Sequence, residues 1–219
     1  YLERLENLMH SSSTHPLGLA LEYLNKIEKL LNLTVPVLYI SYLMKVIILI
    51  IMIKKIKIGS EFPCFIIAEI GINHGGSFEK ANKLVDEAFN CGANAVKFQI
   101  ANPYKSYQKD TPSYKEFIKS SLNFDEYKRI IKKFQSRGEI FATPGDIESL
   151  KLCKKLKLNI YKVSSGLVNN LVLIREISKT KMPIILSTGM ASLGEIKEAV
   201  RIAKKYGSKE VYLLHCTSI

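Results

Sequence analysis

The sequence predicts an α/β fold, namely an incomplete (β/α)8 TIM barrel of about six strand–helix units preceded by an N-terminal extension. From Ile58 onward, short β-branched apolar runs alternate with segments of 3.6-residue periodicity. This alternation is typical of parallel strands joined by helices. The first run leads into AEIGINHGG, where the glycine spacing differs from the GxGxxG dinucleotide fingerprint. A barrel is therefore favoured over a doubly wound sheet.

The predicted elements follow in regular order. Six strands are expected, at Phe65–Ile70, Ala95–Gln99, Ile140–Thr143, Ile160–Ser164, Pro183–Ser187 and Val211–Cys216. Helices are expected between them, near Phe78–Asn90, Phe124–Ser136, Ile147–Lys155, Val172–Lys179 and Leu193–Tyr206, with a loop at Tyr104–Ser121. A closed barrel needs eight strands and about 250 residues. We therefore expect this 219-residue sequence to be truncated relative to its functional parent.

Residues 1–51 are predicted to be an extension outside the barrel domain, which we place at 52–219. The extension joins an amphipathic stretch to an apolar run at residues 35–53. Such a run approaches the ~20 residues that span a bilayer, so one interpretation is membrane contact through this segment. We favour another, in which the extension is not native to the enzyme, because MIKKIKIGSEFPCFIIAEIG from Met52 looks like a natural enzyme start.

The charged residues, cysteines and histidines of the sequence indicate which classes of function to expect. The formal net charge is +12, but the lysines are dispersed along helical segments. Basic surfaces that follow a nucleic-acid backbone usually cluster and interleave with aromatic residues, so we expect no nucleic-acid partner. The four cysteines contain no CxxC pair and lie in apolar stretches, which predicts reduced, buried thiols in a cytoplasmic enzyme. The four histidines are too scattered to predict a metal site by spacing.

Two lysines are the main candidates for chemistry. In AVKFQ, strand alternation puts Lys97 on the face opposite Val96 and Phe98. If these two apolar residues pack under the helices, Lys97 points into the barrel. The same argument predicts that Lys162 of IYKVSS points into the barrel. A buried, unpaired ammonium is costly. One interpretation is a salt bridge between these lysines and Glu69, but two lysines and one carboxylate leave one positive charge unpaired. A phosphate or carboxylate ligand would offset that surplus.

Other candidates allow two interpretations. His74 precedes a Gly-Gly turn, where it could cap the next helix or contact substrate at the barrel mouth. His215 is expected to be an interior histidine rather than a metal ligand. Asp146 is expected to cap the helix that follows it.

Six motifs, IIAEIGINHGG, GANAVKFQ, FATPGDIES, YKVSSG, KMPIILSTGMASLGEI and LLHCTS, resemble in the same order those of the N-acetylneuraminate (sialic acid) synthase family. The resemblance spans about residues 56–219. It implies condensation of phosphoenolpyruvate with N-acetylmannosamine or a related amino sugar, release of inorganic phosphate, and use of a divalent metal (Mn or Mg).

The resemblance also implies residue roles. Glu69 corresponds to the catalytic carboxylate, and Gln99 to a position near the sugar. Five residues correspond to positions that bind phosphoenolpyruvate in the family, namely Lys97, Thr143, Lys162, Ser165 and Ser187. His74 and Ser218 complete the substrate-binding candidates, although Ser218 replaces a family asparagine.

The sequence departs from the family pattern in places. It has Thr143-Pro144-Gly145 where the family usually has TPF, and Ser165-Gly166-Leu167 where it usually has SGE. Leu167 keeps open a pseudaminic acid, legionaminic acid or spore-coat polysaccharide synthase of the same family.

The family's metal-binding histidines and its C-terminal antifreeze-like domain correspond to no part of this sequence. We therefore expect this chain alone to be inactive and to lack the metal ligands. The full-length parent is expected to be a homodimer. A different interpretation is a non-catalytic fragment tethered to a membrane.

Overall fold

The structure is a computed structural model that describes residues 58–217. The extension 1–51, the domain boundary at 52, the apolar run 35–53 and the candidate Ser218 lie outside these residues. The chain divides between Pro63 and Cys64 into two units, and the fold below belongs to the second. Between residues 58 and 217, no helix has the length and apolar character to cross a membrane.

Six parallel strands form one sheet in chain order. They are β1 (Ile67–Gly71), β2 (Ala95–Ile100), β3 (Glu139–Pro144), β4 (Tyr161–Val163), β5 (Ile184–Ser187) and β6 (Val211–Leu214). The sheet curls into a half-barrel, with each strand hydrogen-bonded to the next one along the chain. This confirms the predicted fold class of an incomplete barrel with six strand–helix units.

Helices connect the strands. They are α1 (Phe78–Asn90), α2 (Pro103–Ser106), α3 (Pro112–Lys119), α4 (Phe124–Phe134), α5 (Ile147–Lys155), α6 (Leu171–Ser178) and α7 (Leu193–Lys205). The bounds of α1 and α5 are those predicted, and the other predicted helices differ by one or two residues at their ends.

The predicted loop Tyr104–Ser121 instead contains α2, in part, and α3. Each of these helices starts at a proline that follows a capping residue. The side chain of Asn102 accepts the Tyr104 amide before α2, and that of Thr111 accepts the Tyr114 amide before α3. Proline at the first helical position has no amide to leave unpaired, so these short segments are suited to helix starts.

The main core lies between the sheet and the helices. Along β2, alternate side chains Val96, Phe98 and Ile100 join this core. The Phe98 ring meets Tyr127 of α4 edge-on, with 5.4 Å between centroids. Because successive strand residues point to opposite faces, Lys97 lies on the inner face of the curled sheet.

Two predictions about burial are wrong. Only Cys153 is buried, whereas Cys64 and Cys91 are exposed and Cys216 is intermediate. Cys64 precedes the first strand, and Cys91 caps the carboxyl end of α1, so neither reaches the core. His215 is also exposed, because it follows β6, an edge strand of the described sheet in which Leu213 and Leu214 are themselves exposed.

Candidate active site

A cavity of about 350 Å³ opens at the carboxyl ends of the strands. Residues from β1 to β5 and the segments that follow β4 and β5 line it, namely Glu69, Lys97, Gln99, Thr143, Lys162, Ser164, Ser165, Gly166, Ser187 and Met190. This is the end of a barrel at which strand-to-helix loops place reactive groups.

Lys97 lies at the floor of the cavity and is only 4% exposed. Its Nζ lies 2.8 Å from Glu69 Oε2 and donates a 3.0 Å hydrogen bond to Thr143 Oγ1. The sheet register places Glu69 directly opposite Lys97 on the adjacent strand. The Glu69 side chain is 57% exposed, so this carboxylate reaches from a buried cation to the cavity mouth.

Lys162 is 5% exposed and has a different environment. Its Nζ donates to the Val163 carbonyl oxygen at 2.9 Å and to Ser187 Oγ at 2.5 Å. It forms no ion pair with any acidic residue among those between 58 and 217. Burial, assisted by the neighbouring charge of Lys97, lowers the pKa of Lys162 to about 8. Lys162 is therefore a buried cation held only by neutral acceptors.

The charges around the cavity do not balance. Two ammonium groups and one carboxylate line it, which leaves one positive charge when both lysines are protonated. An ammonium has three N–H donors, and Lys162 uses two of them in its hydrogen bonds to Val163 and Ser187. The arrangement can therefore bind an anion that fits within the barrel mouth.

A polar group also lies beyond Lys162. Ser165 Oγ accepts a 3.2 Å hydrogen bond from the Gly189 amide and lies 3.4 Å from Cys216 Sγ. The hydrogen bond with Ser165 is the main cause that lowers the pKa of Cys216 to about 7. The amides and hydroxyls after β4 and β5 thus favour negative charge on this side of the cavity.

Seven of the nine predicted site residues line the cavity together: Glu69, Lys97, Gln99, Thr143, Lys162, Ser165 and Ser187. Ser218 lies outside the described residues. His74 does not line the cavity, because its ring is buried near Phe98, with 5.9 Å between ring centroids.

His74 is placed by the turn before α1. Its Nδ1 accepts the Gly76 amide at 3.2 Å, and Nε2 is buried without a hydrogen-bond partner. Burial lowers the pKa of His74. The side-chain cap of α1 is Ser77, which accepts the Lys80 amide. His74 is therefore a buried turn residue and neither caps the helix nor reaches the cavity.

Sequence reasoning did not single out Met190, which lines the mouth and is 69% exposed. It also left aside Cys216, whose thiol contacts Ser165. Met190 follows the Ser187-Thr-Gly segment after β5, so the rule that barrel sites gather behind strand ends could have found it. The contact between Cys216 and Ser165 joins residues 51 positions apart, which no local pattern indicates.

A divalent metal finds no ligand set among the residues between 58 and 217, where no three His, Cys, Asp or Glu side chains cluster suitably. Of the residues that the structure describes, Glu69 is the only acidic one lining the cavity, and its carboxylate is paired with Lys97. The described residues therefore do not fit a metal site.

Several known proteins are similar to this chain in sequence. Residues 84–219 match the model of the NeuB family. N,N'-diacetyllegionaminic acid synthase of Campylobacter jejuni is 38% identical over 170 residues, covering 70% of this chain and 51% of that protein. N-acetylneuraminate-9-phosphate synthase of Mus musculus is 32% identical over 176 residues, covering 74% and 48% respectively.

A solved structure gives the same result. N-acetylneuraminic acid synthetase of Leptospira borgpetersenii, in complex with citrate, superimposes with a TM-score of 0.71 at 36% identity, covering 75% of this chain and 58% of that one. The chain spans about half the length of the curated relatives it matches.

Proposed function

This chain belongs to the NeuB family, and on that premise we propose that it is part of an enzyme that condenses phosphoenolpyruvate with an N-acetylated amino sugar. The product is a sialic acid or a related nonulosonic acid, and inorganic phosphate is released. Residues 58–217 supply the phosphoenolpyruvate subsite and its catalytic carboxylate.

The observation that supports the proposal most directly is the pair of buried ammonium groups facing one cavity. Lys97 is already paired with Glu69, whereas Lys162 has only neutral acceptors. A small acid carrying both a phosphate and a carboxylate would supply the missing negative charge. It would also accept hydrogen bonds from the hydroxyl groups that now contact the two lysines.

The reaction makes one carbon–carbon bond. Carbon 3 of phosphoenolpyruvate bonds to the aldehyde carbon of the open-chain sugar, whose oxygen takes a proton. Water then adds to carbon 2, and cleavage of the bond between carbon 2 and the bridging oxygen releases phosphate and leaves a ketone. Glu69, at the mouth and partly exposed, is placed to stabilise positive charge at carbon 2 or to hold a proton.

We assign the sugar side of the cavity to Gln99 and Met190, which line it and are exposed. N-acetylmannosamine is the acceptor that we propose first. An acceptor for pseudaminic acid, legionaminic acid or a spore-coat polysaccharide is the alternative that Leu167 keeps open. A divalent metal would polarise the sugar aldehyde, and we propose that its ligands come from outside residues 58–217.

Calorimetric titration of phosphoenolpyruvate into the 219-residue chain tests the subsite. We expect saturable binding that Lys162→Met and Lys97→Met each weaken at least about tenfold, because each removes a charged hydrogen-bond donor. Lys83→Met, at an exposed position of α1, is the matched control and should bind like the original chain. Binding that is absent, or equal in all four proteins, would reject the subsite.

A second experiment concerns turnover by this chain. We propose that it binds phosphoenolpyruvate but releases no phosphate with N-acetylmannosamine or other N-acetylated amino sugars. Phosphate released in step with sugar consumption would contradict the proposed inactivity and would identify the acceptor.

The different interpretation is a non-catalytic, membrane-tethered fragment, as suggested by the apolar run at residues 35–53. Solubility with and without detergent, compared between the full chain and a version beginning at Met52, separates the two. The fragment would be favoured if the full chain needs detergent to stay soluble, the version without residues 1–51 does not, and neither binds phosphoenolpyruvate.

A further inference from the structure

We propose that Asp146 is a positioning residue that clamps the segment after β2 to the segment after β3 and thereby fixes Gln99 at the sugar side of the cavity. The role of the clamp in sugar binding rests on the proposed function. The clamp itself can be tested without any substrate.

The clamp is a set of hydrogen bonds to one carboxylate. Asp146 Oδ2 accepts from the Asn102 amide at 2.7 Å, from Ser106 Oγ at 2.6 Å and from Ser149 Oγ at 2.7 Å. Asp146 Oδ1 accepts from the Ser149 amide at 2.8 Å. One oxygen therefore caps α5, whereas the other also binds the neighbouring segment, about 40 residues earlier in the chain.

Close backbone contact accompanies these bonds. The Gly145 amide donates to the Ile100 carbonyl oxygen at 2.8 Å. A β-carbon at position 145 would lie 2.8 Å from Ala101 Cβ, closer than real β-carbons approach other atoms. The glycine thus allows the two segments to touch, and the aspartate next to it fastens them.

The clamp begins immediately beyond the site. Gln99 and Thr143 are paired across β2 and β3, and each is followed three residues later by a clamp residue, Asn102 or Asp146. Lys162 and Ser187 lie on β4 and β5, which the clamp does not contact through any of these bonds. Lys97 and Thr143, on β2 and β3, belong to the anion side but lie nearer the clamp. Release of the clamp should therefore disturb the sugar side more than the anion side.

The carboxylate stays ionised at neutral pH. Burial alone would raise the pKa of Asp146, but hydrogen bonds from Ser106, Ser149 and Asn102 outweigh burial and hold it below its usual value. Hydrogen bonds to an ionised acceptor are stronger than neutral ones. A neutral replacement of the same shape should therefore weaken the clamp.

Asp146→Asn separates the two functions of this side chain. An asparagine oxygen can keep the position of Oδ1 and cap α5, since asparagine is a good helix cap. Its NH2 group would then face the Asn102 amide and cannot accept from it. Asp125→Asn, at an exposed position in the first turn of α4, is the matched control.

Two readouts need no ligand. In Asp146→Asn we expect hydrogen exchange of the amides of Asn102 and residues 104–106 to become about tenfold faster or more, because local opening loses charged hydrogen bonds. The first turn of α5 should keep its protection. The side-chain amide signal of Gln99 should shift or broaden in the NMR spectrum, whereas Asp125→Asn leaves both measurements unchanged. Unchanged exchange, or an unchanged Gln99 signal, overturns the proposal.

The substrate readout tests what the clamp does for function. We expect Asp146→Asn to bind phosphoenolpyruvate no more than about threefold more weakly, through Thr143, and N-acetylmannosamine about tenfold more weakly in the presence of phosphoenolpyruvate. Equal loss for both ligands would overturn the positioning role and indicate general damage. If the original chain binds neither ligand, the proposed function fails, whereas faster exchange and an altered Gln99 signal would still establish the clamp.

Discussion

Lys162 donates a 2.5 Å hydrogen bond to Ser187 Oγ, which places a buried ammonium against a neutral hydroxyl. Lys97, on the next strand but one, has a carboxylate at 2.8 Å. The two lysines are therefore not equivalent. One is a paired cation that organises the floor of the cavity, and the other is a cation that a ligand can satisfy.

Anion binding should depend on the protonation of Lys162. Its pKa is lowered to about 8, so the ammonium is present at pH 7 and mostly lost at pH 9. Sulfate keeps a constant charge over this range, and we expect its affinity to fall about five- to tenfold from pH 7 to pH 9. Calorimetry at fixed ionic strength measures this change. Lys162→Arg keeps its charge, so the smaller fall that it still shows reports the ionisation of Cys216, whose pKa is lowered to about 7. A fall no larger in the original chain than in Lys162→Arg would exclude Lys162 as the titrating group.

The buried ammonium of Lys162 should lower the free energy of unfolding. Because the folded-state pKa of about 8 lies below the ordinary value of 10.5, the unfolded chain binds more protons between these limits, and stability should rise as pH increases through them. Lys162→Met should remove this rise and be more stable at pH 7 by about 1–3 kcal/mol. Urea unfolding at pH 7 and pH 10 tests both. A variant less stable at pH 7 would show that the ammonium is well satisfied in the fold.

Glu69→Gln should tighten sulfate binding. The change removes the one carboxylate of the cavity and raises its net charge from one positive charge to two. Because Glu69 is 57% exposed, solvent screens the effect, and we expect a gain of about three- to tenfold at low salt that shrinks at high salt. Glu87→Gln, exposed on α1, serves as the control. Weaker sulfate binding would mean that Glu69 is needed to hold Lys97 in place.

Cys216 should be a reactive thiol at neutral pH. Its pKa is lowered to about 7, chiefly by the hydrogen bond with Ser165, whereas burial raises the pKa of Cys153 to about 12. Alkylation by iodoacetamide, followed by peptide mass spectrometry, should show a rate for Cys216 that rises with a midpoint near pH 7. Ser165→Ala should move this midpoint upward. Modification of Cys153 at a similar rate would contradict the assignment.

Strand alternation was enough to predict the inner face of the barrel. Val96 and Phe98 belong to the main core, so Lys97 between them had to face the other way, and the structure places it there. Lys162 follows the same rule between Tyr161 and Val163. This succeeds because a two-residue repeat is local, and a parallel sheet covered by helices leaves little freedom in its register.

Features that depend on distant partners could not be read from the sequence. Nothing local distinguishes Lys97, which is paired with Glu69, from Lys162, which is not. His215 is exposed because β6 is an edge strand of the described sheet, a position that the local sequence does not reveal; the predicted strand was also two residues too long. By contrast, the starts of α2 and α3 were visible as Asn102-Pro103 and Thr111-Pro112, so the predicted loop could have been divided.

Lys97 and Lys162 stand on β2 and β4, and their mutual repulsion helps to lower the pKa of Lys162. That repulsion arises only once β2, β3 and β4 have come together, so it opposes the last stage of assembly of this part of the sheet. An anion bound between the two lysines would offset this repulsion and so favour the assembled sheet by mass action.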